Sequence, residues 1–409
     1  MIIRREIEKD IVKWLGSKEI IAIRGTRQCG KTTFLTMLSE ILEKRGINKK
    51  NIHFISFEDD IEKEKFEQNP VDYIQFHTGN SDSRHFFLLD EVQYIKSAGK
   101  ILKLVYDSIK NIKIVITGSS TLDLNEVSSF LVGRVLLFEM YPFSFAEYLN
   151  AKDETLHAYY KKRKIILNSH INLEKAVFLD KLNKYLQEYL EYGGYPSVVL
   201  ENDKEKKKFL LKNLFLTYLE KDIVKVYGLK YKQKISELIK YLAALNGSML
   251  NYNELCGLTG LYDKEIKEIL SILQDTYVLK IIKPFHKNLT TELKKNPKTY
   301  FVDTGLRNSI TGRFEFGNDE FGKLLENYIL GKFRQEKVNY WRTTAKAEVD
   351  FILNESVPIE VKITPKISRS FRSFIESYKP DKAFIANMNF LETKKIGKTK
   401  IFIVPFALL

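Results

Sequence analysis

One stretch near the start of the chain, EIIAIRGTRQCGKTT, restricts the fold more than any other feature. It places an apolar run, Ile20 to Ile23, directly before the pattern G-x-x-x-x-G-K-[ST], which spans Gly25 to Thr32. Apolar residues at helical spacing follow, so the pattern lies between a predicted strand and a predicted helix. A loop in that position curls its backbone N–H groups around phosphate oxygens at the helix N-terminus. The sequence therefore predicts a nucleotide-binding α/β domain built on a parallel sheet.

The side chains of this loop predict ATP and Mg²⁺ as ligands. Lys31 would neutralise the β- and γ-phosphates, and the hydroxyl of Thr32 would bind Mg²⁺. The other residues predicted to bind the cofactor are Gly25, Thr26, Arg27, Gln28, Cys29, Gly30 and Thr33.

A second apolar run, HFFLLDEV, ends in Asp90 and Glu91. Buried parallel strands have this composition, and ligands of open α/β sheets bind at the C-terminal edge of the strands. Asp90 is predicted to hold Mg²⁺, and Glu91 to orient or deprotonate the attacking water. The Asp-Glu pair therefore favours a hydrolysing ATPase over a small-molecule kinase.

Two further residues are candidates for sensing the γ-phosphate. Ser119 ends the strand KIVITGSS, although a hydroxyl at such a turn also serves as a helix N-cap. Arg134, in LVGRV, fits an arginine finger or second sensor, and an ion-paired surface arginine fits equally well. The chain contains no N-K-x-D sequence that would recognise guanine, which argues against a GTPase.

The composition limits the class of protein and its partners. The 409 residues are enough for several domains. No apolar run approaches the roughly 20 residues that span a bilayer, and two cysteines indicate a reducing cytoplasm rather than a disulfide framework. Residues 1–150 hold 21 basic and 21 acidic side chains, so the whole excess of +14 lies in residues 151–409. Such a surface favours DNA as a partner, and a merely solubilising surface is the alternative.

The middle of the chain is predicted to be helical. Residues 151–230 show helical periodicity, and residues 231–285 read as three short helices and a strand, in the order of a winged helix-turn-helix. The third of these helices exposes Lys264, Glu265, Lys267 and Glu268, a mixture of signs that favours a packing role over base recognition.

The stretch EVDFILNESVPIEVK predicts a β-hairpin with a charged face. If its turn centres on Glu355, residues whose numbers sum to 710 pair, so Asp350 lies opposite Glu360 and Lys362 shares that face. Two carboxylates this close repel unless a cation such as Mg²⁺ binds between them. Lys362 could then orient or deprotonate a water, with Glu326 as a further carboxylate. A purely structural ion cluster is the alternative, and both stay open.

Taken together, the motifs RGTRQCGKTT, FFLLDEVQ, ITGSS, LVGR, YGGYP and EVDFIL…PIEVK resemble a bacterial and archaeal family of AAA+-type ATPases fused to a C-terminal restriction-endonuclease-like domain. The resemblance implies that Asp350, Glu360 and Lys362 match the PD-(D/E)xK nuclease signature and that Glu326 matches its helix carboxylate. Mg²⁺ or Mn²⁺ would be the metal there, bound by Glu326, Asp350 and Glu360.

The expected organisation has four segments. These are an ATPase domain at 1–150, a helical lid or linker at 151–230, a winged-helix-like region at 231–285 and a restriction-endonuclease-like α/β domain at 286–409. Two functions stay open: an ATP-hydrolysing protein that acts on linear or branched DNA, with a Mg²⁺-dependent nuclease domain, or an ATP-driven switch with an inert nuclease-like domain that binds protein or nucleic acid. No membrane association is expected, and a homo-oligomer is compatible with both.

Overall fold

The computed structural model of the protein describes residues 2–79, 81–118, 130–165, 167, 177–219, 228, 231–285 and 296–409. The chain divides into two compact units. Unit 1 comprises Met1–Phe143 with Asp275–Tyr277, and unit 2 comprises Ser144–Gln274 with Val278–Leu409. The four-segment division expected from the sequence stays a prediction.

Unit 1 alternates strands and helices. Its strands are β1 (Ile20–Gly25), β2 (Ile52–Ser56), β3 (His85–Asp90), β4 (Ile112–Gly118) and β5 (Val135–Met140). Its helices are α1 (Glu8–Lys13), α2 (Lys31–Lys44), α3 (Asp60–Gln68), α4 (Pro70–Thr78) and α5 (Ala98–Ser108), with short 3₁₀ turns at Lys49–Asn51 and Val92–Tyr94.

The described strands of unit 1 form one parallel sheet in the order β2-β3-β4-β1-β5. All residues of β3 and β4 are buried, as their apolar runs predict for strands covered on both faces. The edge strands β2 and β5 are only partly buried. Parallel pairing brings the C-terminal ends of β1, β3 and β4 to the same edge of the sheet, next to the start of α2.

Unit 2 is helical in its first part and has further helices between its later strands. Its helices are α6 (Phe145–Lys152), α7 (Glu154–Arg163), α8 (Leu179–Tyr192), α9 (Pro196–Leu200), α10 (Lys204–Tyr218), α11 (Lys232–Ala244), α12 (Tyr252–Thr259), α13 (Asp263–Asp275), α14 (Thr304–Thr311), α15 (Asn318–Lys332) and α16 (Arg369–Tyr378). Across the described ranges of the whole chain, no helix combines the length and the apolar character that a membrane crossing requires.

Helices α11, α12 and α13 are followed by two antiparallel strands, β6 (Leu279–Pro284) and β7 (Lys298–Phe301). Met249, which lies between α11 and α12, forms an isolated antiparallel β-bridge with Lys298 of β7. The sequence predicted this order of three helices and a strand. The third helix is shorter than its pattern suggested, because it ends at Asp275 and the chain is extended again from Leu279.

The remaining strands of unit 2 are β8 (Val338–Arg342), β9 (Glu348–Leu353), β10 (Val357–Val361), β11 (Lys382–Asn387), β12 (Glu392–Ile396) and β13 (Thr399–Pro405). With β6 and β7 they form a mixed sheet in the order β12-β13-β11-β10-β9-β8-β6-β7. Strand β9 is antiparallel to both neighbours, whereas β10, β11 and β13 run parallel. Helix α16 packs its apolar face, with Phe371, Phe374 and Ile375, into the core on one side.

The hairpin of β9 and β10 confirms the predicted register. Its pairs are Leu353 with Val357, Ile352 with Pro358 and Phe351 with Ile359, and each pair sums to 710. The same alternation predicts that Ile363 faces the core, but this residue follows the end of β10 and is 37% exposed.

Candidate functional site

The phosphate-binding loop of unit 1 depends on its two glycines. Gly25 ends β1 with φ of 155°, and a Cβ atom there would lie 1.8 Å from the carbonyl oxygen of Met140 on β5. Gly30 has φ of 94° and precedes the first residue of α2. These positions exclude larger residues, by collision at Gly25 and by backbone conformation at Gly30. The loop between them therefore turns tightly onto the N-terminus of α2.

Lys31 and Thr26 face the inside of this loop. Both are buried, and Lys31 Nζ donates hydrogen bonds to the carbonyl oxygens of Gly25 at 3.1 Å and Thr26 at 3.0 Å. The Thr26 hydroxyl is buried and has no hydrogen-bond partner among the described residues. Such a group is costly unless a ligand completes its bonding. The loop thus has both a cation and an unused hydroxyl for an oxygen-rich ligand, which fits ATP.

Four polar groups connect the loop with the ends of β3 and β4. The Thr32 hydroxyl donates to Asp90 Oδ2 at 2.7 Å, and the Thr117 hydroxyl donates to Asp90 Oδ1. Thr117 also accepts a hydrogen bond of 3.1 Å from the backbone N–H of Glu91. A hydroxyl next to a carboxylate at a helix N-terminus is the donor set that Mg²⁺ uses together with nucleotide phosphates. Thr32 and Asp90 therefore fit the predicted metal role.

Glu91 stands beside this group with an unusual backbone. Its φ is 55°, in the left-handed region that non-glycine residues rarely adopt. The side-chain amide of Gln93 donates a hydrogen bond to Glu91 Oε2, which fixes the carboxylate. Strained positions of this kind cluster at functional sites, so the geometry is consistent with the predicted water-orienting role.

The two predicted sensors have different outcomes. Ser119 lies outside the described residues. Arg134 forms an ion pair with Asp107, with Nε and Oδ1 3.1 Å apart, and its guanidinium lies 5.8 Å from the ring centre of Tyr106. This contact is the ion-paired alternative, and a role as arginine finger stays a prediction. On β4, the described hydroxyl that contacts the Asp-Glu pair belongs to Thr117.

The sequence did not predict Arg5 as a site residue, although its side chain forms a hydrogen bond with the phosphate-binding loop. This buried guanidinium donates to the carbonyl oxygen of Cys29 at 2.7 Å and to that of Tyr141 at 2.5 Å. It also lies 4.9 Å from the centre of the Phe143 ring. Charged hydrogen bonds to buried carbonyl groups are strong. Arg5 therefore ties the phosphate loop to the chain that follows β5.

The second candidate site lies at the hairpin of unit 2. Asp350 Oδ2 accepts a hydrogen bond of 2.8 Å from the backbone N–H of Val361, so its carboxylate reaches across from β9 to β10. Glu360 is 2% exposed, and its Oε1 receives the Lys362 ammonium at 3.1 Å and the Ser368 hydroxyl at 3.1 Å. The predicted common face of Asp350, Glu360 and Lys362 is therefore present.

Glu326 approaches this group from helix α15. Its Oε2 accepts a hydrogen bond of 2.9 Å from the hydroxyl of Tyr300 on β7. The charge of Asp350 is the largest electrostatic influence on Glu326 after burial itself. Glu326 is therefore within electrostatic reach of the hairpin carboxylates, as the sequence predicted.

Burial raises the pKa values of all three carboxyl groups, and repulsion by Asp350 adds to the rise at Glu326 and at Glu360. The pKa of Glu326 is raised to about 8, by burial and then by Asp350, against Lys298 and the Tyr300 hydroxyl. That of Glu360 is raised to about 7, by burial and then by Asp350, against Lys362 and Ser368. Burial also raises the pKa of Asp350 despite the two lysines and the Val361 N–H. Ionisable groups perturbed in this way are common at functional sites.

The charge of Lys362 limits what this residue can do. Burial alone would lower its pKa, but Glu360 and Asp350 outweigh burial and raise it. A lysine that stays protonated at neutral pH cannot accept a proton from water. Of the two predicted roles, orientation of a water stays a prediction, and the general-base role is not supported.

A further buried ion cluster adjoins the site and was missed from the sequence. Lys298 on β7 is 3% exposed, and its Nζ lies 2.5 Å from Glu348 Oε1. The other oxygen of Glu348 receives the Arg342 guanidinium at 2.7 Å. No local sequence pattern predicts this role for Glu348, because its partners lie on other strands, up to 50 residues away in sequence.

The donor set of these carboxylates suits a divalent metal ion, and the structure gives one direct test of the fit. Glu360 Oε2 is buried and has no hydrogen-bond partner among the described residues. A buried carboxylate oxygen without a partner requires a cation or a donor. Within the described ranges, however, no group of three or more His, Cys, Asp and Glu side chains is arranged to hold a metal. Asp350 and Glu360 fit a metal that completes its shell with other oxygens, whereas coordination by Glu326 as well stays a prediction.

Helix α13 offers little for base recognition. Its exposed lysines pair with acids of the same helix, Lys267 with Asp263 at 2.6 Å and Lys264 with Glu268 at 3.9 Å. A helix that reads DNA bases needs free donors and acceptors on its exposed face. The packing role therefore stays the favoured prediction for this helix.

Comparisons with known protein families match three separate parts of the chain. Residues 17–149 match an AAA domain. Residues 183–316 match a domain of unknown function (DUF8612), and residues 321–409 match another (DUF4143). The first match and the five-stranded parallel sheet support an AAA-type ATPase with a P-loop NTPase fold. The C-terminal match is to a domain of unknown function and does not identify a PD-(D/E)xK nuclease.

Two relatives are similar over most of the chain. An uncharacterized protein of Haemophilus influenzae is 26% identical over 100% of this chain and 99% of its own length. An uncharacterized protein of Methanocaldococcus jannaschii is 28% identical over 86% of this chain and 75% of its own length. Among solved structures, the Aeropyrum pernix ORC1 protein in complex with DNA covers 76% of this chain and 94% of its own, at 10% identity and a TM-score of 0.31. That score is too low to support an inference about function.

Proposed function

We propose that the protein is an ATPase that acts on DNA, with a C-terminal domain of the PD-(D/E)xK type that binds a divalent metal ion. The observation that carries the ATPase part is the hydrogen-bonded set of Thr32, Asp90 and Thr117 beside the Lys31 loop. This set places a hydroxyl, a carboxylate and an ammonium group where the phosphates of ATP and their Mg²⁺ bind in P-loop proteins.

The residues of unit 1 would divide the work of hydrolysis. Lys31 exchanges its contacts with loop carbonyls for phosphate oxygens and neutralises charge that develops on them. Thr32 and Asp90 would hold Mg²⁺, which supplies further neutralisation of phosphate charge when bound. Glu91 orients the attacking water, and Thr117 keeps the Asp-Glu pair in register through its two hydrogen bonds. Arg134 is proposed as a γ-phosphate contact only if it leaves Asp107.

The proposal that DNA is the partner rests on charge. The entire positive excess of +14 lies in residues 151–409, whereas residues 1–150 are balanced. Neutralising DNA phosphates releases counterions, so such a surface favours DNA and makes the binding sensitive to salt. At the hairpin, Asp350 and Glu360 would hold the metal, and Lys362 would stabilise negative charge on a phosphodiester.

The ATPase part is tested with Lys31→Ala and Glu91→Gln. We expect Lys31→Ala to abolish nucleotide binding, measured with a fluorescent ATP analogue. Glu91→Gln should keep binding and lower turnover at least a hundredfold, because it removes the group that orients water. Surface variant Glu40→Gln, on the same helix as Lys31, is the control. Normal turnover in Glu91→Gln would contradict the assignment.

The DNA part is tested by band shifts of linear and branched DNA at low salt, with and without ATP. We expect binding that weakens steeply as salt rises, and cleavage, if Mg²⁺ or Mn²⁺ supports it, that is lost in Asp350→Asn. Absence of DNA binding at low salt under every nucleotide condition would refute this part of the proposal.

A second function, an ATP-driven switch with an inert C-terminal domain, is favoured by one observation. Glu360 Oε1 already has two internal partners, Lys362 and Ser368, as in a structural ion cluster. This alternative predicts that Asp350→Asn leaves every activity intact while Lys31→Ala removes nucleotide binding. Metal-dependent cleavage that disappears in Asp350→Asn would rule it out.

A further inference from the structure

Lys298 is a buried cation inside the carboxylate cluster of unit 2. Its side chain is 4% exposed, and its ion pair with Glu348 is short, at 2.5 Å. A buried ammonium ion is stable only where neighbouring charges compensate it. Burial alone would lower the pKa of Lys298, but Glu326, Glu348 and Asp350 outweigh burial and raise it. Lys298 therefore carries a full positive charge at neutral pH.

The charges of the cluster leave room for one further cation. Its positive groups are Lys298, Arg342 and Lys362, and its negative groups are Glu326, Glu348, Asp350 and Glu360. Once Glu326 and Glu360 have released their protons, three positive charges face four negative ones, and one negative charge remains. One divalent ion would leave a net charge of one positive, whereas two would leave three positive charges in a buried place.

The contacts divide the carboxylates into two sets. Glu348 is fully engaged, by Lys298 on one oxygen and Arg342 on the other. Glu326 Oε2 accepts a hydrogen bond from the Tyr300 hydroxyl, and the positive charge of Lys298 opposes the rise in the pKa of Glu326. Only Glu360 presents a buried oxygen, Oε2, without a hydrogen-bond partner among the described residues. The buried oxygen without a partner thus belongs to Glu360, which interacts electrostatically with Asp350 and Lys362, whereas Lys298 interacts with Glu326, Glu348 and Asp350.

We propose that Lys298 is a resident cation that restricts this site to one divalent ion, bound by Asp350 and Glu360, and that keeps Glu326 out of the coordination. The inference rests on the proposed function in one respect, because it takes the hairpin to bind a divalent metal. It separates this site from two-metal sites, in which a pair of ions about 4 Å apart shares the carboxylates. Lys298 is a positioning residue in this scheme, since it acts on the metal through the carboxylates.

The test is Mn²⁺ binding to the full chain, followed by electron paramagnetic resonance without nucleotide. Every protein carries Asp90→Asn, so that the nucleotide site does not contribute. The starting protein should bind one Mn²⁺, and Asp350→Asn should lose it. Lys298→Met removes the charge at similar length, and we expect Mn²⁺ to bind at least about tenfold more tightly and a second ion to bind at higher concentration. Lys337→Met, which removes an exposed lysine of the same unit, should change neither value.

The possible outcomes separate the two ideas. If the starting protein binds no Mn²⁺, both the metal site and the role of Lys298 are wrong. If it binds one ion that Asp350→Asn loses, and Lys298→Met has the same affinity and stoichiometry, only the role of Lys298 is wrong. Arg342→Met is the second variant in case Lys298→Met does not fold. It removes one positive charge from a partly exposed position, so we expect the same direction with a smaller change, and unchanged binding would count against the proposal.

Discussion

Asp350→Asn should stabilise unit 2 in the absence of divalent metal, because its carboxylate is a net burden on the fold. The pKa of Asp350 is raised by burial in spite of Lys298, Lys362 and the Val361 N–H. Its charge also raises the pKa of Glu360, after burial, to about 7 from an ordinary value of 4.5. An asparagine at this position keeps an oxygen that can accept from the Val361 N–H while it removes the charge.

The size of the effect follows from these pKa values. One pKa unit corresponds to about 1.4 kcal/mol, so an ionised Glu360 costs the fold about 3 kcal/mol at pH 8. Burial is the larger cause and Asp350 the next, so removal of its charge should recover about 1 kcal/mol at Glu360. The variant also removes the repulsion of Glu326 by Asp350 and the burial of a charge at residue 350. With these contributions, the expected gain in unfolding free energy is about 1–3 kcal/mol.

The pKa values also predict how the stability gain of Asp350→Asn changes with pH. The folded state holds its protons on Glu326 and Glu360 up to pH values near 8 and 7, whereas the unfolded chain releases them near 4.5. Between these values the folded state binds more protons, so the stability of the wild type falls as pH rises. Asp350→Asn should flatten this fall, and its advantage should shrink at pH 5, where Glu360 is protonated in the fold.

Urea unfolding in EDTA at pH 5 and pH 8 measures the difference in stability between Asp350→Asn and the wild type. Both proteins also carry Trp14→Phe, so that the fluorescence of Trp341 reports on unit 2. Trp341 is suited to this because it is buried on β8, beside the hairpin. Glu376→Gln, on the exposed face of α16 with a loose partner 4.0 Å away, should change the midpoint little. A variant Asp350→Asn that is no more stable than wild type at pH 8 would refute the reasoning.

Two further predictions concern unit 1. Arg5→Met removes two charged hydrogen bonds below the phosphate loop, each worth about 1.5–3 kcal/mol, so a fluorescent ATP analogue should bind at least about tenfold more weakly, with partial recovery in Arg5→Lys. His53 is hydrogen-bonded to His85 at 2.9 Å, and burial, His77 and His85 lower its pKa to about 4. The folded state then excludes a proton that the unfolded chain binds below about 6.5, so thermal stability should fall from pH 6.5 to 4. His53→Phe should reduce that fall, and parallel pH profiles for the two proteins would contradict the assignment.

The features that could be predicted from sequence are those set by local spacing. Gly25, Gly30 and Lys31 stand at fixed distances between an apolar strand and a helix, and that order alone determines how the loop meets phosphate. Strand residues alternate between two faces, so a turn centred on Glu355 was enough to place Asp350 against the Glu360 strand. In both cases the partners are neighbours in sequence or in a hairpin.

The features that could not be predicted depend on contacts between distant segments. Arg5 reaches the carbonyl groups of Cys29 and Tyr141, which are 24 and 136 residues away. Lys298 meets Glu348 only because β7 and β9 belong to the same sheet. The protonation of Lys362 is equally a property of the folded cluster, since the acids around it oppose its burial. No local pattern carries such information.

The turn between β9 and β10 has a consequence for how this chain can change during evolution. Three residues, Asn354, Glu355 and Ser356, separate the paired positions Leu353 and Val357, and Asn354 and Glu355 have positive φ. An insertion of one residue that slipped the register would move Glu360 to the opposite face of the sheet and bring an apolar neighbour in its place. An insertion of two would restore the alternation. Among descendants that retain the carboxylate pair, length changes in this hairpin are therefore expected in even steps or confined to the turn.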